Sequence, residues 1–455
     1  MNDLELAVAT LLYKTPIYTR LWEYYMGNQP LVYSTERLRE IFSGLHSHFS
    51  QNWCAVVVDS TCERIQLQRV TVADDEAAND ALALLLASSE LILMSDDVHL
   101  SALVTGEAYV VAWPDEQTEQ PEAYYNDSRT VHLFYEADKP RRKRFAVKWW
   151  VGDDNYRYLT LYYADRLEYY RSTNIVRSDD GTTFNEVTTG RGFNAIGSEA
   201  NPYGLIPVFH FRRERRVISS ELANVLGPQD AINKILADMM VAAEFGAFPQ
   251  RYIISQAEPG KFKNAPNIIW DIPGSDGEGQ PTSVGQFAST ELNNYLQAID
   301  KWTASIAIIS RTPKHYFFGQ GGDPSGEALI AMEAPLNKKC QKYITRFIAG
   351  WSEVAQFMML VAGNGLLDDN AIVPIFDKPE TVQPYTQALI RKESVQAGIP
   401  LLWQMEQEGY TEQELADLET AMNEEQGSAQ QSLAAAMTNA QRNFDQGANG
   451  AAANA

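Results

Sequence analysis

Apolar residues recur at helical spacing along most of this chain and alternate in one central stretch. From Leu4 to about Leu100 the helical period dominates. Leu21, Trp22 and Tyr25 share one helix face, which Gly27-Asn28-Gln29-Pro30 brings to a stop, and Leu38, Ile41, Phe42 and Leu45 repeat the i, i+3, i+4, i+7 pattern. The run Ala55-Val-Val-Val-Asp59 predicts a short strand, and residues 81–93 predict another helix. Between Ala102 and His210 the period shifts toward two. Ala108-Tyr-Val-Val-Ala-Trp113, closed by Pro114, predicts a strand. Residues 130–135, 144–151, 158–163 and 167–171 predict a meander with polar turns, and Asp179-Asp180-Gly181 suits a hairpin turn. Pro207-Val-Phe-His-Phe211 closes this half, which reads as one α+β domain.

Gly227-Pro228 marks a helix start, and Ile232, Ile235, Leu236, Met239 and Ala243 form its apolar stripe. Arg251-Tyr-Ile-Ile254 and Asn267-Ile-Ile-Trp-Asp-Ile272 predict two short strands. A helix over 290–310 follows, striped by Leu292, Tyr295, Leu296, Ile299, Trp302, Ile306 and Ile309. Helix, small β unit and helix together predict a projecting hairpin. The second helix runs into a glycine-rich loop, Phe317-Phe-Gly-Gln-Gly-Gly-Asp-Pro-Ser-Gly326, about which the flanking helices would move. Asp323-Pro324 then supplies an N-cap and a first-turn proline for a long helix. That helix carries Ile344, Phe347, Ile348, Trp351, Ala355 and Met358 on one side and Lys338, Lys339, Lys342 and Arg346 largely on another. Pro335 inside it cannot donate to the helix ladder and predicts a kink. Residues 372–376 predict a late strand, 386–422 predict helical pieces broken at Gly398-Ile-Pro400 and Gly409, and the small polar residues from Gly427 onward predict disorder.

Composition narrows the function classes. A chain of 455 residues with 45% hydrophobic content is long enough for several domains and a large core. A formal net charge of −22 argues against a tight non-specific grip on nucleic acid, which needs a basic face to displace counterions. It leaves room for a surface along which DNA slides without sticking. Three cysteines without a CxxC pair argue against a zinc cluster or a disulfide framework and suit a reducing compartment. The acidic opening Met-Asn-Asp-Leu-Glu is unlike a signal peptide, and no apolar run reaches the length of a membrane span. A soluble protein with no membrane partner is the expectation.

No catalytic constellation competes for attention. The glycine loop lacks the Gly-Lys-Ser/Thr step of a phosphate-binding loop and the GxGxxG spacing of a dinucleotide site. His46 and His48 point to different helix faces, and the nucleophile elbow GxSxG is absent. The acidic pairs Asp74-Asp75, Asp96-Asp97, Asp153-Asp154 and Asp368-Asp369 are a weak case for a carbohydrate hydrolase, which needs two carboxylates converging on one cleft. No catalytic residue, cofactor-binding residue or metal ligand is assigned. The Lys338, Lys339, Lys342 and Arg346 stripe reads first as a solvated or salt-bridged face and second as a contact for phosphate or an acidic neighbouring subunit.

The order of these elements resembles the portal (head–tail connector) proteins of tailed bacteriophages, in the branch typical of siphophages of Gram-positive hosts. Four blocks carry the resemblance: Trp22-Glu-Tyr-Tyr-Met-Gly-Asn-Gln-Pro-Leu31; Asn52-Trp-Cys-Ala-Val-Val-Val-Asp59 with Glu63-Arg64; Ala102-Leu-Val-Thr-Gly-Glu-Ala-Tyr-Val-Val-Ala-Trp-Pro114; and Ser325-Gly-Glu-Ala-Leu329 at the start of the long helix. It runs over roughly residues 15 to 425 and lies in order and spacing rather than in one signature.

The resemblance implies an α+β portal fold: a wing over 1–218, a stem–clip–stem hairpin over 219–310 with the clip at about 247–288, and a tunnel loop over 311–326. A kinked spine helix would span 327–362, a return to the wing 363–382, a helical crown 383–426 and a disordered tail 427–455. It places Lys314, His315, Phe317, Phe318, Gly319, Gln320, Gly321, Gly322 and Asp323 along a DNA channel, and Arg251, Tyr252 and Trp270 in the clip. It implies a homo-oligomeric ring, usually of twelve subunits, at one capsid vertex of the virion, made in the host cytoplasm. Its expected partners are double-stranded DNA in transit, the terminase large subunit, a neck adaptor, and the major capsid and scaffolding proteins. ATP hydrolysis would belong to the terminase. The competing readings are a non-enzymatic capsid-associated scaffold protein and an acidic glycoside hydrolase.

Overall fold

The first helix, α1 (Asp3–Met26), starts where its sequence says it should. The Asn2 side chain accepts from the Glu5 N–H at 2.7 Å while the Glu5 carboxylate accepts from the Asn2 N–H at 3.3 Å, a reciprocal capping box. Gly27, at φ +76°, closes it in the left-handed conformation that glycine adopts without penalty. A computed structural model describes residues 2–30, 51–73, 75–177, 192–247, 251–254, 283–286, 291–318, 326–365, 367, 371–380, 384–407, 415, 416 and 418–423. The expected helix around Leu38–Leu45, the turn at Asp179, the strand at Asn267, the cap at Asp323 and the tail lie outside these residues.

The run expected as a strand at Ala55–Asp59 is instead part of helix α2 (Trp53–Cys62). Asn52 caps it by accepting from the Ala55 N–H at 3.2 Å, and Cys54, Val57, Val58 and Thr61 are buried at i, i+3, i+4, i+7. Burial of that stripe outweighs the modest strand preference of three valines. The single helix expected over 81–93 is two: α3 (Glu76–Ser88), capped by Asp75, and α4 (Leu91–Thr105), with Glu90 at φ 48° between them. Ahead of them, β1 (Leu67–Val72) lies in a stretch that read as helical.

Three antiparallel units follow. In the first, β2 (Glu107–Pro114) sits between β3 (Pro121–Asn126) and β9 (Val208–Arg212). In the second, β4 (Val131–Tyr135), β5 (Lys143–Val151), β6 (Tyr156–Tyr162), β7 (Arg166–Ile175) and β8 (Phe193–Ala200) pair in chain order, the expected meander with an extra strand. The third pairs β1 with the late strand β12 (Ile372–Phe376), Val70 facing Pro374, across some three hundred residues of chain. The strand β3 was not anticipated; its Pro121, Glu122 and Asn126 are residue types depleted in strands.

Helix α5 (Leu226–Ala247) and helix α6 (Asn293–Ser310) flank a strand pair as expected, but β10 (Arg251–Ile254) pairs with β11 (Ser283–Gln286), a strand not anticipated from the sequence. After the glycine loop comes α7 (Gly326–Val361), which continues through Pro335. The largest core cluster gathers α2, α4, β2, β9 and α7, with Trp351, Phe347 and Phe211 almost fully buried. Each such side chain contributes about 1.5–3 kcal/mol relative to exposure. Gly350 permits the closeness of α7 and β9: a Cβ there would lie 2.6 Å from the Phe211 ring. No single described helix is long and apolar enough to cross a membrane.

The chain divides into two units, Met1–Glu380 and Thr381–Ala455. The elements above belong to the first. The second contains α8 (Pro384–Gln396) and α9 (Leu401–Gln407), interrupted as expected at Gly398, which sits at φ 94°.

Candidate functional site

The segment leading into the glycine loop is held by its neighbours on both sides. Helix α6 ends at Arg311 in the left-handed conformation, and the Thr312 N–H returns to the Ala307 carbonyl at 3.0 Å. A single 3-10 turn, Lys314–Tyr316, then directs the chain into the core. Phe317 is 7% exposed and packs on Trp53 of α2, ring centroids 5.2 Å apart, and Phe318 leans on the same cluster. The expectation that Phe317 lines a channel therefore does not fit; its ring anchors the loop. Lys314 is exposed and His315 half-buried, while Gly319, Gln320, Gly321, Gly322 and Asp323 lie outside the described residues.

Arg64 is the hub of this anchor. From the turn between α2 and β1 its guanidinium donates to the Tyr316 hydroxyl at 2.7 Å, to Asn337 Oδ1 at 2.7 Å and to the Pro379 carbonyl at 2.9 Å. It also pairs with Glu333 at 3.1 Å, and His315 Nε2 lies 3.6 Å from the other oxygen of that carboxylate. One planar fork with several fixed donors thus ties together the loop base, the start of α7 and the segment after β12, a task to which lysine, a single point donor, is unsuited. Sequence reasoning noted Glu63-Arg64 without seeing this role, because its partners lie some 250 to 315 residues away.

The cationic stripe on α7 separates into different environments. Lys339 is buried and reaches Glu221 and the Ser310 carbonyl, each at 2.8 Å. Arg213 Nη1 meets the other oxygen of Glu221 at 3.0 Å, and the Tyr343 hydroxyl donates to it at 2.8 Å. Burial alone would push the Glu221 carboxyl up, but the Lys339 and Arg213 charges and these hydrogen bonds hold it below the ordinary glutamate value. Lys342 and Arg346 pair with Glu214 at 3.3 and 3.0 Å. Lys339 is thereby corrected from a candidate phosphate contact to a buried strut, and Arg346 is engaged within the chain. Lys338 stays exposed without an ion pair among the described residues.

The α6 stripe also divides. Ile299, Thr303, Ile306 and Ala307 are buried within the chain, whereas Trp302 and Ile309, seven residues apart on one flank, are 42% and 47% exposed. Pro335 is exposed on α7. In the β unit, the backbones of Arg251 and Tyr252 pair with Gln286 and Gly285, and Trp270 lies outside the described residues.

No group of three or more His, Cys, Asp or Glu among the described residues converges as metal ligands would. The thiols are held protonated: burial pushes Cys54 and Cys62 up to about 12 and Cys340 to about 11. The arrangement is mechanical in character: two helices, an anchored loop base and a struted junction, with an uncovered apolar flank.

A family model described as phage portal protein, SPP1 Gp6-like, matches residues 11–425. The portal protein of Mycobacterium phage L5 is 24% identical over 333 residues, covering 68% of this chain and 64% of that protein. The portal protein of Mycobacterium phage D29 is 25% identical over 320 residues, covering 65% and 62%. Each of these matches spans less than two thirds of the relative. Among solved structures, a chain from the neck of an empty GTA particle computed with C6 symmetry covers 84% of this chain and 93% of its own at 12% identity, with a TM-score of 0.45.

Proposed function

This chain belongs to the SPP1 Gp6-like family of phage portal proteins, and we propose that it forms a ring of twelve copies at one capsid vertex, through which double-stranded DNA passes during packaging and ejection. The helix–β–helix hairpin serves as stem and clip, the clip docking the terminase large subunit during packaging and a neck adaptor afterwards. The loop around Gly319 forms the inner rim of the channel, and α7 is the spine behind it. Portal assembly also brings contacts with the major capsid and scaffolding proteins. The protein performs no catalysis of its own.

The observation that carries this reading is the family match over residues 11–425. Three physical features support it. Trp302 and Ile309 leave an apolar flank of α6 uncovered, as a face awaiting an identical neighbour would. A net charge of −22 suits a conduit that must not hold its cargo. The base of the glycine loop is fixed by Arg64 and Phe317, so that a moving tip would have a rigid seat.

Electron microscopy of the full chain, purified and within virions, tests the proposal. Rings with a central hole wide enough for a duplex are expected. Virions whose single special vertex contains no ring of this chain would overturn it.

A further inference from the structure

The stripe on α7 belongs to a larger basic island on an acidic protein. Where the end of α6, the middle of α7 and the segment 213–225 meet, a cavity of about 210 Å³ is lined by five cations and only two carboxylates, Glu214 and Glu221. Both carboxylates are already committed, Glu221 to Lys339 and Arg213, Glu214 to Lys342 and Arg346. Lys338 and Arg311, on the cavity wall, are exposed and have no ion pair among the described residues. Arg215 and Arg216, next in the chain to Glu214, are exposed and equally unpaired. Two cations without an ion pair among the described residues therefore line the cavity, and two more follow Glu214 in sequence, in a chain that carries 37 basic residues against 59 acidic ones.

Apolar side chains border this island. Val217 is 69% exposed, Ile218 40%, and Ile309 lines the cavity itself. Duplex DNA meets proteins through phosphates and gains nothing from exposed valine and isoleucine outside its grooves. Exposed aliphatic side chains beside unpaired arginines are instead the composition of a protein–protein contact. In a rotational ring each subunit presents two different faces to its neighbours, so a basic face on one side requires an acidic one on the other. A two-fold pairing would set the island against itself. With the chain at −22 despite this island, the rest of its surface supplies the carboxylates.

Building on the ring proposed above, we propose that this island is the acceptor half of the contact between subunits. A carboxylate-bearing surface of the adjacent copy closes over Lys338, Arg311, Arg215 and Arg216, and aliphatic residues of that copy cover Val217, Ile218 and Ile309. Exposed pairs of this kind are individually weak and salt-sensitive, so assembly is set by their sum and by the apolar cover.

The test compares the full chain with the triple variant Arg215→Glu/Arg216→Glu/Lys338→Glu and with Lys338→Gln alone, by analytical ultracentrifugation, electron microscopy and retention of a short DNA duplex. All three substituted side chains are exposed, so thermal midpoints should match the parent. The parent is expected to form rings whose assembly weakens with salt, and the triple variant to need about tenfold more protein to assemble, with the glutamine variant between them. Equal assembly by parent and triple variant overturns this contact but leaves the ring standing. A triple variant that assembles normally but loses duplex retention reassigns the island to DNA and also overturns it. A parent chain that makes no rings even in virions defeats the ring itself.

Discussion

The indole N–H of Trp351 donates a 3.0 Å hydrogen bond to Nε2 of His99, and both side chains are buried. His99 also stacks on Phe347, 4.8 Å between centroids, so one imidazole joins α4 to two successive turns of α7. Because Nε2 accepts, the ring is neutral with its proton on Nδ1. Burial lowers its pKa to about 3, and the same cause lowers His132 to about 3 and depresses His210, which sit in a second buried network around Lys14 and Glu107.

These three histidines predict acid lability with a definite window. His99 and His132 are neutral when folded, His210 is harder to protonate than a free imidazole, and all three titrate near the ordinary value of about 6.5 when unfolded. Below that value the unfolded chain binds more protons, so stability falls with falling pH, for His99 and His132 down to their folded value near 3. At about one pH unit below the ordinary histidine value, His99 and His132 each contribute a loss of about 1.4 kcal/mol, and His210 acts in the same direction. Urea unfolding midpoints should fall steadily from neutral toward pH 5, and His99→Phe should reduce the slope. A flat profile over that range would show that the histidines are charged when folded.

Gly350→Ala should destabilise the protein although alanine is the better helix former. Replacing an exposed helical glycine stabilises by about 1 kcal/mol, but the added Cβ would fall 2.6 Å from Phe211 Cε1 and 2.9 Å from Cδ1. Phe211 is buried against Trp351 at 4.7 Å and has nowhere to retreat. Overpacking of that kind costs about 1–3 kcal/mol, so a net loss of about 1 kcal/mol is expected by chemical denaturation. Phe211→Leu in the same background should restore part of it.

Lys339→Met should cost more than the double change Lys339→Met/Glu221→Leu. Removing Lys339 leaves the buried Glu221 carboxylate with Arg213 and the Tyr343 hydroxyl but without its second cation, a loss of about 1.5–3 kcal/mol, whereas removing both substitutes apolar contacts for a pair whose desolvation nearly offsets its attraction. Arg213 and the Tyr343 hydroxyl would then lose their shared acceptor, which limits the recovery. A double-mutant cycle in stability measures the coupling, and additive losses would mean that Lys339 and Glu221 are independent.

Much of the frame is legible in the sequence because it rests on local spacing. The stripe Ile344, Phe347, Trp351, Ala355, Met358 fixed α7 as a core helix, and alternation fixed the meander. The errors arose where tertiary burial overrode local preference, as at Val56–Val58, and where a strand finds its partner far away, as β1 does in β12. The stripe of lysines on α7 was visible, yet spacing could not tell that Lys339 turns inward to Glu221 while Lys338 stays in solvent. Nor could it find Arg64, whose importance lies in partners that only the fold brings within 3 Å.

Arg64→Ala should unseat the glycine loop while leaving the bulk of the fold in place. The substitution removes the guanidinium from Tyr316, Asn337 and the Pro379 carbonyl, and takes the paired cation away from the buried carboxylate of Glu333. The loss of one charged, multiply bonded donor costs about 1.5–3 kcal/mol. Phe317 remains buried against Trp53, so the segment should loosen rather than leave the core. Hydrogen exchange should quicken at Tyr316–Phe318 and in the first turns of α7, with little change in β5–β7, and Arg64→Lys should rescue only partially because it offers one point of contact where the fork offers several. Phage carrying Arg64→Ala should assemble portals but package or retain DNA poorly. Unchanged exchange at Tyr316 would mean that Phe317 alone holds the loop, and normal packaging alongside quickened exchange would separate the anchor from the passage of DNA.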